Sequence, residues 1–169
     1  MTSTCPINAS LVVLGDRWSL LVVRNLMFAG YRSFNQFLHA GEGIATNILA
    51  DRIEKLIEAG ILTKEPDPDD GRKWLYSLTS KGIDLAPVLL ELSKWGSRYQ
   101  DGVPPEGILE RWEADPAGFL AELRRRLGTS QSLPDGRAKT PRGSGQASRG
   151  GKRPKNPIAR GTKSPRRSS

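Results

Sequence analysis

The stretch that most restricts this chain is residues 43–82, GIATNILADRIEKLIEAGILTKEPDPDDGRKWLYSLTSKG. Ile44, Ile48, Leu49, Ile53, Leu56 and Ile57 fall at i, i+4, i+5, i+9, i+12 and i+13, the apolar stripe of one helix. Thr46, Asn47, Ala50, Asp51, Glu54 and Lys55 lie away from its centre. Gly60 is a helix stop, because glycine takes the left-handed conformation that ends a helix. The runs ILTKE and WLYSL then read as strands, with turn chemistry at 66–71 between them. An amphipathic helix therefore runs straight into a hairpin whose tip carries Arg72 and Lys73. A hairpin buried in an enzyme core needs no such tip; one that touches a partner does. The tip also carries Asp67, Asp69 and Asp70, which a phosphate backbone repels, and Asp70 is expected to pair with Arg72 and fix its direction.

Helix signals surround this unit. INASLVVLG and RWSLLVVRNLMF are apolar runs split by Gly15 and Asp16, with Asp16 a candidate N-cap for the second. SFNQFLHA predicts a short helix capped by Ser33, with Phe34, Phe37 and Leu38 on one face. Beyond the hairpin, residues 79–99 predict a helix capped near Thr79 and kinked or split at Pro87. Its apolar residues cover more than one stripe, so one face serves its own domain and the other needs a second surface. Residues 104–127 predict two more helices, with Pro105 and Pro116 in their first turns and Asp115 as an N-cap. Phe119, Leu120, Leu123 and Leu127 line one face of the last.

From about residue 129 the composition changes. Residues 129–169 hold 11 Lys/Arg and one acid, Asp135, a net of +10. The whole chain holds 26 Lys/Arg and 18 Asp/Glu, so residues 1–128 hold 15 and 17, a net of −2. With Leu133 and Ile158 its only large aliphatic residues and no aromatics, the tail cannot bury enough surface to offset chain entropy and is expected to be disordered. Its charge suits a polyanion, and it is read as an electrostatic antenna for DNA rather than a solubilising linker. The expected domains are 1–101, a DNA-binding domain; 102–128, a helical extension; and 129–169, the basic tail. No run of about 18 apolar residues is present and the N-terminus has no signal-peptide pattern, so a cytoplasmic, nucleoid-associated protein without a membrane partner is expected.

Helix, helix, short helix, amphipathic helix, hairpin, helix is the order of a winged helix-turn-helix, mainly α with a small β-hairpin. Residues 33–40 are its first motif helix, 45–58 the recognition helix and 61–78 the wing. The residues themselves also resemble a known family. CPINASLVVLGDRWSLLVVRNL is similar to the opening signature of the HxlR family of bacterial transcriptional regulators, GIATNILADRIEKLIEAGIL to its recognition helix, and YSLTSKG to the exit of its wing. DGRKWLYSLTSKG also resembles the wing of the related MarR group. The match covers roughly residues 5–99. The resemblance implies a homodimer built from the N-terminal and C-terminal helices on a two-fold-related operator, most often as a repressor. Many relatives begin the recognition helix with Ser followed by Lys and carry Thr or Ser further in. Ala45, Asn47 and Ala50 stand here instead, so the operator read is expected to differ.

The candidate DNA-contacting residues are Ser33, Thr46, Asn47, Ala50, Asp51, Arg52, Lys55, Arg72 and Lys73. Asn47 is the best base reader, since its amide pairs bidentately with adenine. Arg52 lies at the stripe's edge and either reaches a phosphate or pairs with an acid of its own domain. Trp18 is expected in the core. Cys5 precedes a helix N-terminus, which favours a thiolate, and some relatives sense oxidants or electrophiles there; small cysteines are also often inert. The signal is therefore either covalent at Cys5 or a small-molecule effector at the dimer interface. His39 has no cluster of metal-ligand spacing around it, and no nucleophile-base arrangement is present, so neither an enzyme nor a cofactor is expected. Two other readings stay open: an architectural nucleoid protein using the basic tail, and a protein-interaction adaptor.

Overall fold

The computed structural model describes residues 4–128, so the tail expected at 129–169 lies outside the described residues. Helix α1, Pro6–Leu14, opens on a proline, whose missing N–H a first turn does not need. Asp16 then caps α2, Arg17–Arg24, accepting from the N–H groups of Trp18 at 2.8 Å and Ser19 at 3.0 Å. Helix α2 widens into a π turn over Asn25–Ala29 and ends at Gly30, whose φ of 69° only glycine adopts without strain. Within that turn Asn25 is buried and its Oδ1 accepts from Arg24 Nε and Nη2.

Ser33 and Gln36 cap the next helix reciprocally, α3 at Phe34–Leu38. Helix α4 spans Thr46–Glu58, the expected amphipathic helix. Strands β1, Leu62–Pro66, and β2, Trp74–Leu78, pair antiparallel in a register running from Leu62 opposite Leu78 to Pro66 opposite Trp74. The hairpin gains a third edge. Ser33 bridges Leu75, and Tyr76 N–H donates to Arg32 O at 2.7 Å. This fixes the start of α3 to the wing.

Thr79 caps α5, Ser80–Ile83, by accepting from Gly82 N–H, and its hydroxyl donates to Gly60 O at 2.7 Å. Gly82 must be glycine here, because a Cβ would lie 2.4 Å from Ile61 O. The helix predicted over 79–99 is split before Pro87: α6 is Ala86–Tyr99, with the proline in its first turn. Pro105 does not occupy the place expected for it. Gly107, at φ 72°, precedes α7, Ile108–Ala114, and Pro105 lies ahead of the first turn with its carbonyl accepting from Ile108 N–H. Pro116 does open α8, Pro116–Leu127, behind an Asp115 cap.

One core joins these elements. Val22, Val23 and Leu26 meet Leu49, Ile53 and Leu56 of α4, Leu62, Tyr76 and Leu78 of the hairpin, and Ile83 and Leu89 beyond it. Each such side chain contributes about 1.5–3 kcal/mol on full burial. Trp18 packs against this core but stays half-exposed. The C-terminal segment belongs to the same core: Leu123 is buried in it, Arg126 Nη2 donates to Met27 O at 2.8 Å, and Trp112 Nε1 donates to Glu91. The architecture is a winged helix-turn-helix. Two apolar surfaces are left outside. Helix α1 buries no residue, and α6 exposes Val88, Leu92, Trp95 and Tyr99 on the side away from the core.

Candidate nucleic-acid interface

Helix α4 turns its apolar stripe inward and its first turns outward. Leu49 and Leu56 are fully buried, while Thr46, Asn47 and Ala50 are exposed. Its N-cap, Ala45, supplies no side-chain cap, so the N–H groups of the first turn keep their affinity for an acceptor from outside. Farther along, Glu54 and Glu58 are exposed on the same outward side, which leaves the N-terminal half as the part suited to DNA.

Asp51 and its neighbours form a chain of charges. Asp51 Oδ2 meets Lys55 Nζ at 3.0 Å and Arg52 Nη2 at 3.5 Å. Arg52 Nη1 reaches back to Asp16 Oδ2 at 3.4 Å. Of the two roles open to Arg52, the structure places it on acids of its own domain. Its Nε is buried without a hydrogen-bond partner among the described residues. Partial burial raises the Asp16 pKa, but hydrogen bonds from Ser19 and from the N–H groups of Trp18 and Ser19, with the Arg52 charge, outweigh it and hold the carboxyl below its ordinary value.

Only residues 59–61 separate α4 from β1, so the hairpin leaves directly from the recognition helix. At its tip Asp70 Oδ1 accepts from both the backbone N–H and Nε of Arg72 at 3.2 Å, and Lys73 Nζ sits 3.1 Å from Asp70 Oδ2. The hydrogen bond from Arg72, then that from Lys73, lowers the Asp70 pKa. The expected pairing of Asp70 with Arg72 is present, and Arg72 remains 92% exposed. The acid thus directs the tip's cations without burying them. Lys64 lies over the Trp74 ring at 5.1 Å on the same hairpin.

Thr46, Asn47, Ala50, Asp51 and Lys55 are brought together on one helix, and Arg72 and Lys73 at one tip. Ser33 stands apart in sequence at the start of α3, where its hydroxyl accepts from Gln36 N–H at 3.4 Å as the cap. One cation went unnoticed in the sequence. Arg32 Nη2 donates to Glu65 Oε1 at 2.9 Å and Ser77 Oγ at 3.1 Å, at the root of the wing. Partners 33 and 45 residues away leave no local signal. Cys5 is the exposed N-cap residue of α1. His39 Nδ1 bonds the Asn35 carbonyl, and no group of metal-ligating side chains exists among the described residues. No described helix is long and apolar enough to cross a membrane.

An exposed helix face joined to a hairpin whose tip presents Arg72 and Lys73 is, on this fold, the arrangement of a winged-helix DNA-binding regulator. The family model for HxlR-like helix-turn-helix proteins matches residues 13–103, and the chain belongs to that family of transcriptional regulators. The chain is 38% identical over 95 residues to the HTH-type transcriptional regulator sll1512 of Synechocystis sp., a match covering 56% of this chain and 70% of that one. It is 34% identical over 93 residues to the regulator Rv3095 of Mycobacterium tuberculosis, covering 55% of this chain and 58% of the relative's length. Among solved structures, the candidate transcription factor PA1607 superposes with a TM-score of 0.54 at 37% identity, covering 62% of this chain and 70% of that one. The redox regulator HypR in its oxidized form gives 0.52 at 29% identity, covering 57% and 98%.

Proposed function

We propose that this regulator acts as a homodimer that binds a two-fold-related operator sequence-specifically and represses transcription there. The observation that carries the reading is the placement of exposed Thr46, Asn47 and Ala50 at the start of α4, with the Arg72 and Lys73 tip joined to the same helix. Two α4 helices enter successive major grooves about 34 Å apart, and the wings add backbone contacts. Thr46, Asn47, Ala50 and Asp51 face the bases, while Lys55, Arg72 and Lys73 meet phosphates. The dimer forms through α1 and α6, whose exposed Leu11, Val12, Trp95 and Tyr99 have no core of their own to enter. A signal at that interface, an oxidant or electrophile at Cys5 or a small molecule, changes the separation of the two α4 helices and so the affinity. The likeness to a redox regulator supports the Cys5 route. In this division of labour residues 1–101 read DNA, 102–128 brace them and 129–169 add charge.

The net of +10 over residues 129–169 favours a second reading, an architectural nucleoid protein that binds DNA with little sequence preference. Binding of the full chain to genomic fragments, its own promoter included, over a salt series separates the two. One fragment preferred strongly over random DNA supports the regulator; equal binding to all fragments supports the architectural role.

A further inference from the structure

The reading half of α4 carries a carboxylate, and its surroundings show how one is tolerated beside DNA. Asp51 follows Asn47 by one turn, about 6 Å along the axis, so the two reach base pairs one or two steps apart. Lys55 Nζ lies 3.0 Å and Arg52 Nη2 3.5 Å from Oδ2 of Asp51. Arg52 is held on its other side by Asp16, and its side chain is only 26% exposed, so it cannot swing out freely. The chain Asp16, Arg52, Asp51, Lys55 has two anions and two cations and is neutral overall. The carboxylate therefore brings no net negative charge toward the phosphates.

Resting on the DNA-reading role of α4, we propose that Asp51 selects a C·G base pair and that Arg52 is the positioning residue that aims it. An ionised carboxylate only accepts hydrogen bonds. Cytosine offers the N4 amino donor in the major groove with no acceptor beside it on the same base. Adenine sets N7 next to its amino group, guanine presents N7 and O6, and thymine presents O4, so each turns an acceptor toward the carboxylate. The Asp51 side chain is still 46% exposed, so its carboxylate can accept a hydrogen bond from the cytosine amino group. Asn47, one turn earlier, takes the adenine edge. Arg52, tied to Asp16 and Asp51, makes no phosphate contact.

The test is selection of bound duplexes from a randomised pool by the full chain, for wild type, Asp51→Asn, Asp51→Ala and Arg52→Gln, with thermal unfolding to confirm that each folds. Wild type should show a C·G position in each half-site, preferred roughly tenfold. Asp51→Asn should convert that position to A·T, and Asp51→Ala should flatten it, with the Asn47 position unchanged in both. Arg52→Gln should weaken the same preference while the slope of log K against log salt stays as in wild type. Retention of the C·G preference in both Asp51 variants overturns the assignment and leaves the regulator reading standing. A slope shallower by about 0.9 in Arg52→Gln shows a phosphate contact and overturns the positioning role. A wild-type chain that selects no sequence overturns the DNA-reading role of α4, and this inference with it.

Discussion

Replacing Leu123 by alanine tests whether the segment beyond the matched family region is part of the folding unit. Leu123 is 4% exposed and is the buried residue of α8, while Phe119, Leu120 and Leu127 only lean against the core. Of the polar ties of α8, the Arg124–Asp84 pair is more than half exposed on both sides, and such pairs contribute about 0–1 kcal/mol, while the Arg126 to Met27 carbonyl bond is untouched by the substitution. Leucine-to-alanine changes in cores cost about 2–5 kcal/mol, and the lower part of that range applies where one side can relax. Helix α8 lies at the edge of the core, so a loss of about 2–3 kcal/mol is expected, or about 8–12 °C in Tm for a domain of this size. Urea unfolding followed by circular dichroism and by tryptophan fluorescence reads it, with Trp112, edge-on to Phe119 at 5.9 Å, kept as the sole tryptophan by replacing the other three with phenylalanine. The two probes should give one coincident transition at a lower midpoint. A loss under about 0.5 kcal/mol, or an early separate fluorescence transition, would show that α8 is not cooperative with the core and refute the reasoning.

Arg72→Ala should weaken binding to operator and random DNA alike and make the salt slope shallower by about 0.9; an unchanged slope removes the wing tip from the contact set. Trp95→Glu should turn the proposed dimer into monomer in sedimentation at micromolar concentration, with helicity retained; an intact dimer moves the interface away from α6. Asp16 has its folded pKa below the ordinary 3.8, so its contribution to stability is full above that value and is lost as pH falls through the lower folded one. Asp16→Ala should therefore flatten the acid limb of the stability profile below about pH 4, and should cost about 0.5–2 kcal/mol at pH 7 for the lost cap alone. Acid limbs of equal steepness in the variant and wild type would contradict the hydrogen bonds from Ser19 and Trp18 as the main cause of the lowered Asp16 pKa.

Much of the fold could be read before any coordinate was seen, because its signals are local. The stripe of α4, the caps at Asp16, Ser33, Thr79 and Asp115, the glycine stop at Gly60 and the hairpin turn each act within a turn or two of chain. The outward residues of α4 and the tip cations follow from the same periodicities, as does the surplus apolar face of α6. Proline marks a break without saying how far beyond it the next helix begins, and α7 starts three residues after Pro105. The remaining contacts join residues far apart in sequence. Asp16 and Arg52 are 36 residues apart, Arg32 and Ser77 are 45, and Arg126 and Met27 are 99. The third edge at Ser33 and the burial of Leu123 are of the same kind. Periodicity fixes which face of an element turns inward; the partner across the gap is set by how close-packed elements settle against one another. Local pattern sets the polar face of α4 and the Asp70–Arg72 pair at the tip, while packing brings Asp16 to Arg52 and Glu65 to Arg32.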